Sequence, residues 1–189
     1  MNDIHEQLCA LLDKEGARYR IIEHEPEGRT ELIALIRGNR IEQSIKSIVV
    51  QVRLSKKENI YCLANVPGHC RVDLGAIKDH FKADSIGMAQ REKAQALTGC
   101  VVGAIPPFSF PGQTSGAGND QLQVLADPLI QENTEVVFNA GRLDRSIFMD
   151  SADYIRIAKP QLVKIALQVW NHNPGDTSWT TLKRIMKEQ

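Results

Sequence analysis

Apolar residues near the start of the chain fall at Ile4, Leu8, Leu11 and Leu12, the three-and-four spacing of one helical face. Gly16 follows where a helix should stop, so residues 3–15 read as an amphipathic helix. The period then changes. Tyr19 and Ile21 alternate with polar neighbours up to Glu23, which suits a strand, and Pro26 in the segment His24-Glu25-Pro26 forces a turn. Thr30 is placed as the cap of a short helix carrying Leu32, Leu35 and Ile36 and ended by Gly38. Two β-rich runs, residues 46–52 and 59–64, flank a charged stretch with Lys56, Lys57 and Glu58 and read as a hairpin. Asp73 is expected to cap a helix bearing Leu74, Ile77 and Phe81, and a second helix is expected over residues 90–97, before Gly99.

Residues 101–105 look like a buried strand that ends at Pro106-Pro107, and residues 111–120, rich in glycine and small polar residues, like a surface loop. Further strands are expected at residues 122–125, 135–138 and 146–149, with a helix or turn over 151–157 and an apolar helix over 162–169. Asn173-Pro174-Gly175-Asp176 interrupts the chain before a last short helix outlined by Leu182, Ile185 and Met186. Strands and helices alternate irregularly, with hairpin-like pairs mixed in. That predicts an α+β fold, α/β/α-like, with a mixed β-sheet and surrounding helices rather than a doubly wound parallel sheet. Residues 1–170 are taken as one domain and 171–189 as a helical tail.

Composition narrows the function classes. The chain has 189 residues, 42% of them hydrophobic and 24% charged, without low-complexity blocks, the ordinary profile of a globular protein. No apolar run approaches the ~20 residues that cross a bilayer, and the first residues are polar, so no membrane partner is expected and the expected address is the cytoplasm. Lys plus Arg equals Asp plus Glu at 23 each, which counts against a general nucleic-acid binder and against DNA as a partner. It leaves room for an enzyme that grips one RNA end with a local basic patch.

Cys9, Cys62, Cys70 and Cys100 show no CxxC spacing, so neither zinc nor a disulfide framework is indicated. His69 and Cys70, with His80 ten positions on, match no zinc-ligand pattern either, and no metal or cofactor is expected. The chain also lacks GxSxG, GxxxxGK[ST], HExxH and a GxGxxG between strand and helix.

Four short segments remain: His24-Glu25-Pro26, Lys46 at the head of an apolar strand, Gly103-Ala104-Ile105-Pro106-Pro107-Phe108, and Asn139-Ala140-Gly141. Each alone has a plain reading as a turn, a strand end or a rigid loop. In this order and separation they resemble the YbaK/ProRS-associated editing family over roughly residues 5–165. The free-standing branch typified by YeaK is most similar, across residues 97–110, Ala126-Asp127-Pro128-Leu129, Phe138-Asn139-Ala140-Gly141 and residues 152–158.

The resemblance implies a trans-editing aminoacyl-tRNA deacylase. Lys46 would be the active-site lysine. Gly103 and Ala104 would supply backbone donors within the GxxxP loop, which Ile105, Pro106 and Pro107 complete around the aminoacyl group and the terminal adenosine. Asn139, Ala140 and Gly141 would line the same pocket, with Ser146 and His24 near it. An aminoacyl ester is already activated, so hydrolysis needs a positioned water or ribose hydroxyl and donors for the oxyanion, not a protein nucleophile. Lys46 is then a positioning cation for the terminal phosphate or ribose. The implied substrate is a mischarged tRNA acceptor end carrying a small residue, with serine, threonine or alanine favoured, and a synthetase is a candidate partner. Arg37, Arg40, Arg142 and Arg145 are candidates for contact with the acceptor stem. The alternatives are a non-catalytic sensor of aminoacyl-tRNA or free amino acid that regulates a partner, and an RNA-independent ester hydrolase.

Overall fold

A computed structural model describes residues 3–110 and 122–168. In chain order the elements are α1 (Ile4–Lys14), β1 (Tyr19–Glu23), α2 (Thr30–Arg37), β2 (Ile45–Ser55), β3 (Glu58–Pro67), β4 (Cys70–Val72), α3 (Leu74–Phe81) and β5 (Ser85–Met88). There follow α4 (Arg91–Thr98), β6 (Gln123–Ala126), β7 (Glu135–Asn139), β8 (Arg145–Asp150), α5 (Ser151–Ala158), β9 (Gln161–Leu162) and β10 (Ala166–Gln168). Two 3-10 turns, Ile41–Gln43 and Pro128–Glu132, link the rest.

The central sheet has the order β5-β2-β3-β6-β9, antiparallel in its first half and parallel from β3 onward, so it is mixed as expected. β3 is buried without interruption from Cys62 to Pro67, as a strand covered on both faces must be. On one face Val50, Val52, Cys62 and Ala64 pack with Ile77 of α3. On the other, Val49 and Leu63 pack with Ala94 and Leu97 of α4 and with Ala104 and Ile105. A smaller antiparallel sheet, β1-β8-β7, carries Ile147, Met149, Val136 and Phe138 against Leu8 and Leu12 of α1 and Tyr154 of α5. A parallel bridge between Ser44 and Val137 joins the two sheets at the head of β2. That seam is where the candidate site lies.

The hairpin is longer than its β-rich core suggests, because charged residues at its tip keep pairing out to Ser55 and Glu58. Asp73 does cap α3, accepting from Ala76 N at 3.0 Å. Thr30 does not cap α2: the preceding Arg29 is the N-cap residue, and the Glu27 carboxylate takes the Gly28 and Arg29 N–H groups instead.

Two expected elements are absent. Residues 101–105 form a turn, not a buried strand. Val101 and Val102 are 49% and 46% exposed, and Ala104 N donates back to Val101 O. The expected helix over 162–169 is replaced by β9 and β10, since Asp127 Oδ2 takes the N–H groups of Ile165 and Ala166 and holds the chain extended. The loop expected over 111–120, residue 169 and the tail over 171–189 with its last helix lie outside the described residues.

Candidate functional site

β2 begins, β7 ends and α2 passes over both, and together with the Gly103 turn they enclose a concave space of about 170 Å³. A cavity of ~150 Å³ holds a benzene-sized group, so this one suits a small acyl group with part of its attachment.

The turn wall is made by close backbone approach. Gly103 has φ 94°, and a Cβ there would fall 2.8 Å from Gly28 Cα and 3.1 Å from Gly28 O. Only glycine meets both demands. Asn139 at the end of β7 fixes the contact, its Nδ2 donating to Gly103 O at 2.8 Å and to Glu27 O at 2.9 Å. Its Oδ1 accepts from Ser146 Oγ at 3.0 Å. Ser146, fully buried in β8, also accepts from Arg37 Nη1 at 3.1 Å and lies 2.7 Å from His24 Nε2. His24 Nδ1 donates to Glu25 O at 2.9 Å. A hydroxyl held by three neighbours and sealed from solvent can position them; it is not placed to attack a substrate.

The same lining carries charge. Lys46 is part of it, and burial lowers its ammonium from the ordinary lysine value while Glu31 opposes the shift. Cys70, pushed up to about 11 by burial, stays neutral near pH 7 and offers Lys46 no counter-charge. Arg37 lines the same space and is pushed down to about 10 by burial, which still leaves it a cation at neutral pH. Among the described lining residues there is no Asp, Glu, His or Cys. The Ser47 Oγ is buried without a hydrogen-bond partner among the described residues.

Of the residues singled out in the sequence, Lys46, Gly103, Ile105 and Asn139 line the cavity. The others stand behind it. Ala104 is fully buried, with its N–H on Val101 O and its carbonyl taken by Gly141 N, so it cannot serve as an oxyanion donor. Pro106 and Pro107 are buried, and Pro107 O accepts from Asn65 Nδ2 at 3.3 Å. Ala140 and Gly141 are engaged with Arg145 O and Ala104 O. His24 and Ser146 form the hydrogen-bonded base just described. Arg142 pairs with Asp144 and Arg145 with Glu23, while Arg40 donates to Asn133 Oδ1.

Sequence reasoning missed Gly28, Thr30, Ser44 and Ser47; Arg37, named there as a candidate contact for the acceptor stem, is found on the cavity lining itself. A glycine after Pro26 and Glu27 was the one signal available for Gly28. Among the described residues no group of three or more His, Cys, Asp or Glu is arranged to hold a metal, and no helix is long and apolar enough to cross a membrane.

A family model for the aminoacyl-tRNA editing domain matches residues 24–157. The multifunctional Ser/Thr-tRNA deacylase ProXp-y of Escherichia coli K12 is 39% identical over 160 residues, covering 84% of this chain and 90% of that one. A crystal structure described as a candidate trans-editing enzyme for prolyl tRNA synthetase has a TM-score of 0.68 at 20% identity, covering 88% of this chain and 99% of that chain. The crystal structure of a hypothetical protein reaches 0.72 at 14% identity, covering 85% and 99%. At such identities the structural likeness speaks to the fold alone.

Proposed function

The chain belongs to the aminoacyl-tRNA editing domain family, and from that premise we propose that it is a trans-acting deacylase that hydrolyses the ester of tRNA mischarged with a small amino acid. The observation that carries this reading is the 170 Å³ cavity, with a backbone-lined turn at Gly103 and Lys46 both on its lining. A Ser/Thr-tRNA deacylase 39% identical over most of the chain supports serine or threonine as the acyl group.

In the proposed reaction a water, or the vicinal ribose hydroxyl, adds to the ester carbonyl. The Gly103 backbone N–H stabilises the oxyanion, and the bond to the ribose oxygen breaks to release the free amino acid and an uncharged 3′ end. Gly103 is suited to this because its carbonyl is already tied to Asn139, which holds the turn in place beside the cavity. Lys46 holds the ribose or the phosphate next to it and does not attack. No metal enters the scheme, since the lining offers none of the usual ligand side chains among the described residues. The catalytic unit is residues 1–170, acting in the cytoplasm either alone or docked on a synthetase.

A panel of tRNAs charged with serine, threonine, alanine, valine and phenylalanine tests the reading. Deacylation of the first three, with little of the last, is the expected result. Tight binding without turnover on any of them would replace the deacylase by a sensor.

A further inference from the structure

Arg37 is a half-buried cation on the wall of the cavity, with no carboxylate in ion-pair contact among the described residues. Six other arginines, Arg18, Arg20, Arg29, Arg142, Arg145 and Arg156, each pair with Asp or Glu, though Arg40 too is held by a neutral oxygen, Asn133 Oδ1. A charge drawn partly out of water is commonly balanced by such a partner. Arg37 is held instead by neutral oxygens from three separate segments. Its Nε donates to Asn39 Oδ1 at 3.1 Å, Nη1 to Ser146 Oγ at 3.1 Å and Nη2 to Ser44 Oγ at 3.2 Å. A guanidinium has five N–H groups, so this clamp fixes its plane and leaves donors over. The C-terminal end of α2 contributes a partial negative charge, roughly half a unit, which offsets the cation only in part.

We propose that Arg37 and its three-oxygen clamp form an anion subsite that takes a phosphodiester of the RNA 3′ end. The inference rests on the deacylase reading only for the identity of the anion. An esterified amino acid has lost its carboxylate charge, and its α-ammonium would be repelled by Lys46 and Arg37 together. The negative charge that answers the two cations must then come from the nucleotide. Arginine suits this because its planar fork meets phosphate oxygens in pairs, and here the fork is already oriented before substrate arrives. A free amino acid would present a carboxylate of similar chemistry, and the test separates the two sources.

The experiment measures binding of an uncharged RNA hairpin ending in CCA to the full chain as a function of KCl, for wild type, Arg37→Gln and Arg37→Lys, each checked for folding by thermal unfolding. Arg37→Gln is expected to weaken binding ~10-fold at low salt. It should also reduce the slope of log Kd against log salt by about 0.7 to 0.9, the value of one phosphate contact. Arg37→Lys should keep the slope and lose several-fold in affinity with the fork geometry. Inorganic phosphate should compete with the RNA on wild type and far less on Arg37→Gln.

Should Arg37→Gln fail to fold, Ser44→Ala carries the test: it loosens the clamp and should weaken binding while leaving the slope unchanged. Equal affinities and slopes for wild type and folded Arg37→Gln would overturn the subsite. So would competition by free serine, and not phosphate, that depends on Arg37. A chain that never turns over mischarged tRNA but keeps the Arg37-dependent slope would remove the deacylase reading and leave the subsite standing.

Discussion

On one side of the cavity Gly103 and Gly28 meet backbone to backbone, pinned by the two N–H groups of a single asparagine amide. Elsewhere on the lining Lys46 and Arg37 face the same space without a carboxylate among the described lining residues. The first wall is neutral, and its shape is over-determined. The second is charged, and no carboxylate in direct ion-pair contact compensates that charge among the described residues. A wall of the first kind fixes where a reacting carbonyl can sit; a wall of the second kind waits for an anion to complete it. The two should therefore fail differently when altered.

The largest effect is expected at Gly103→Val. A Cβ there points at Gly28, not into the open cavity, and a β-branched residue resists φ of 94°. The turn must move, carrying Gly103 and Ile105 with it, and a displacement near 1 Å already costs on the order of 100-fold in rate. Loss of more than ~1000-fold in kcat/KM is expected, together with a lower Tm. A folded variant with wild-type kcat/KM would take the turn out of the site.

Next comes Lys46→Ala on the charged wall, where kcat/KM should fall ~10- to 1000-fold, equivalent to roughly 1.4 to 4 kcal/mol of transition-state stabilisation. Stability should hold or rise, since the ammonium is desolvated without an ion pair among the described residues. Lys46→Arg should recover part of the rate, keeping the charge with different donor geometry. Single-turnover deacylation at matched folded fractions decides it, and an unchanged rate in Lys46→Ala would remove Lys46 from the mechanism.

Legibility in the sequence follows the same division. Elements set by local periodicity, such as α1, α3, α4 and the β2–β3 hairpin, were readable because the apolar spacing and the caps lie within each segment. The Gly103 turn was not. Its valines and isoleucine have strand composition, and only the long-range contact with Gly28 and Asn139 makes them a turn with Val101 and Val102 in solvent. Residues 162–168 were lost in the same way, because a distant carboxylate, Asp127, decides their backbone. In the site, resemblance led to Lys46, Gly103, Ile105 and Asn139. The role of Arg37 was hidden, because an arginine at a helix end reads as surface charge until Asn39, Ser44 and Ser146 are seen around it.

Asn139→Ala sharpens the comparison with a smaller effect. It leaves the Glu27 and Gly103 carbonyls without their side-chain donor, a cost of about 1 to 3 kcal/mol for buried groups. Stability should fall by that amount and kcat/KM by ~10-fold; Ser146 also loses its Asn139 acceptor and holds Arg37 less firmly, but both cations keep their charge, so the salt dependence of RNA binding should be unchanged. Chemical denaturation and the salt titration together check it. A changed salt slope would show that the two walls are not separable.

The smallest effect, none, is expected from metal removal. A divalent ion in such a site would hold the phosphate and polarise the carbonyl, and it would need carboxylate, imidazole or thiolate ligands to stay there. The described lining offers none of these, and two cations already on the wall would repel a third positive charge. In the proposed mechanism Lys46 and Arg37 would take the electrostatic role a metal would play, and the Gly103 turn that of the carbonyl ligand. Protein treated with excess EDTA and then dialysed should deacylate at its original single-turnover rate. A reproducible loss restored by one added metal ion would mean that the charged wall is incomplete without it, and that the division between the two walls had been drawn in the wrong place.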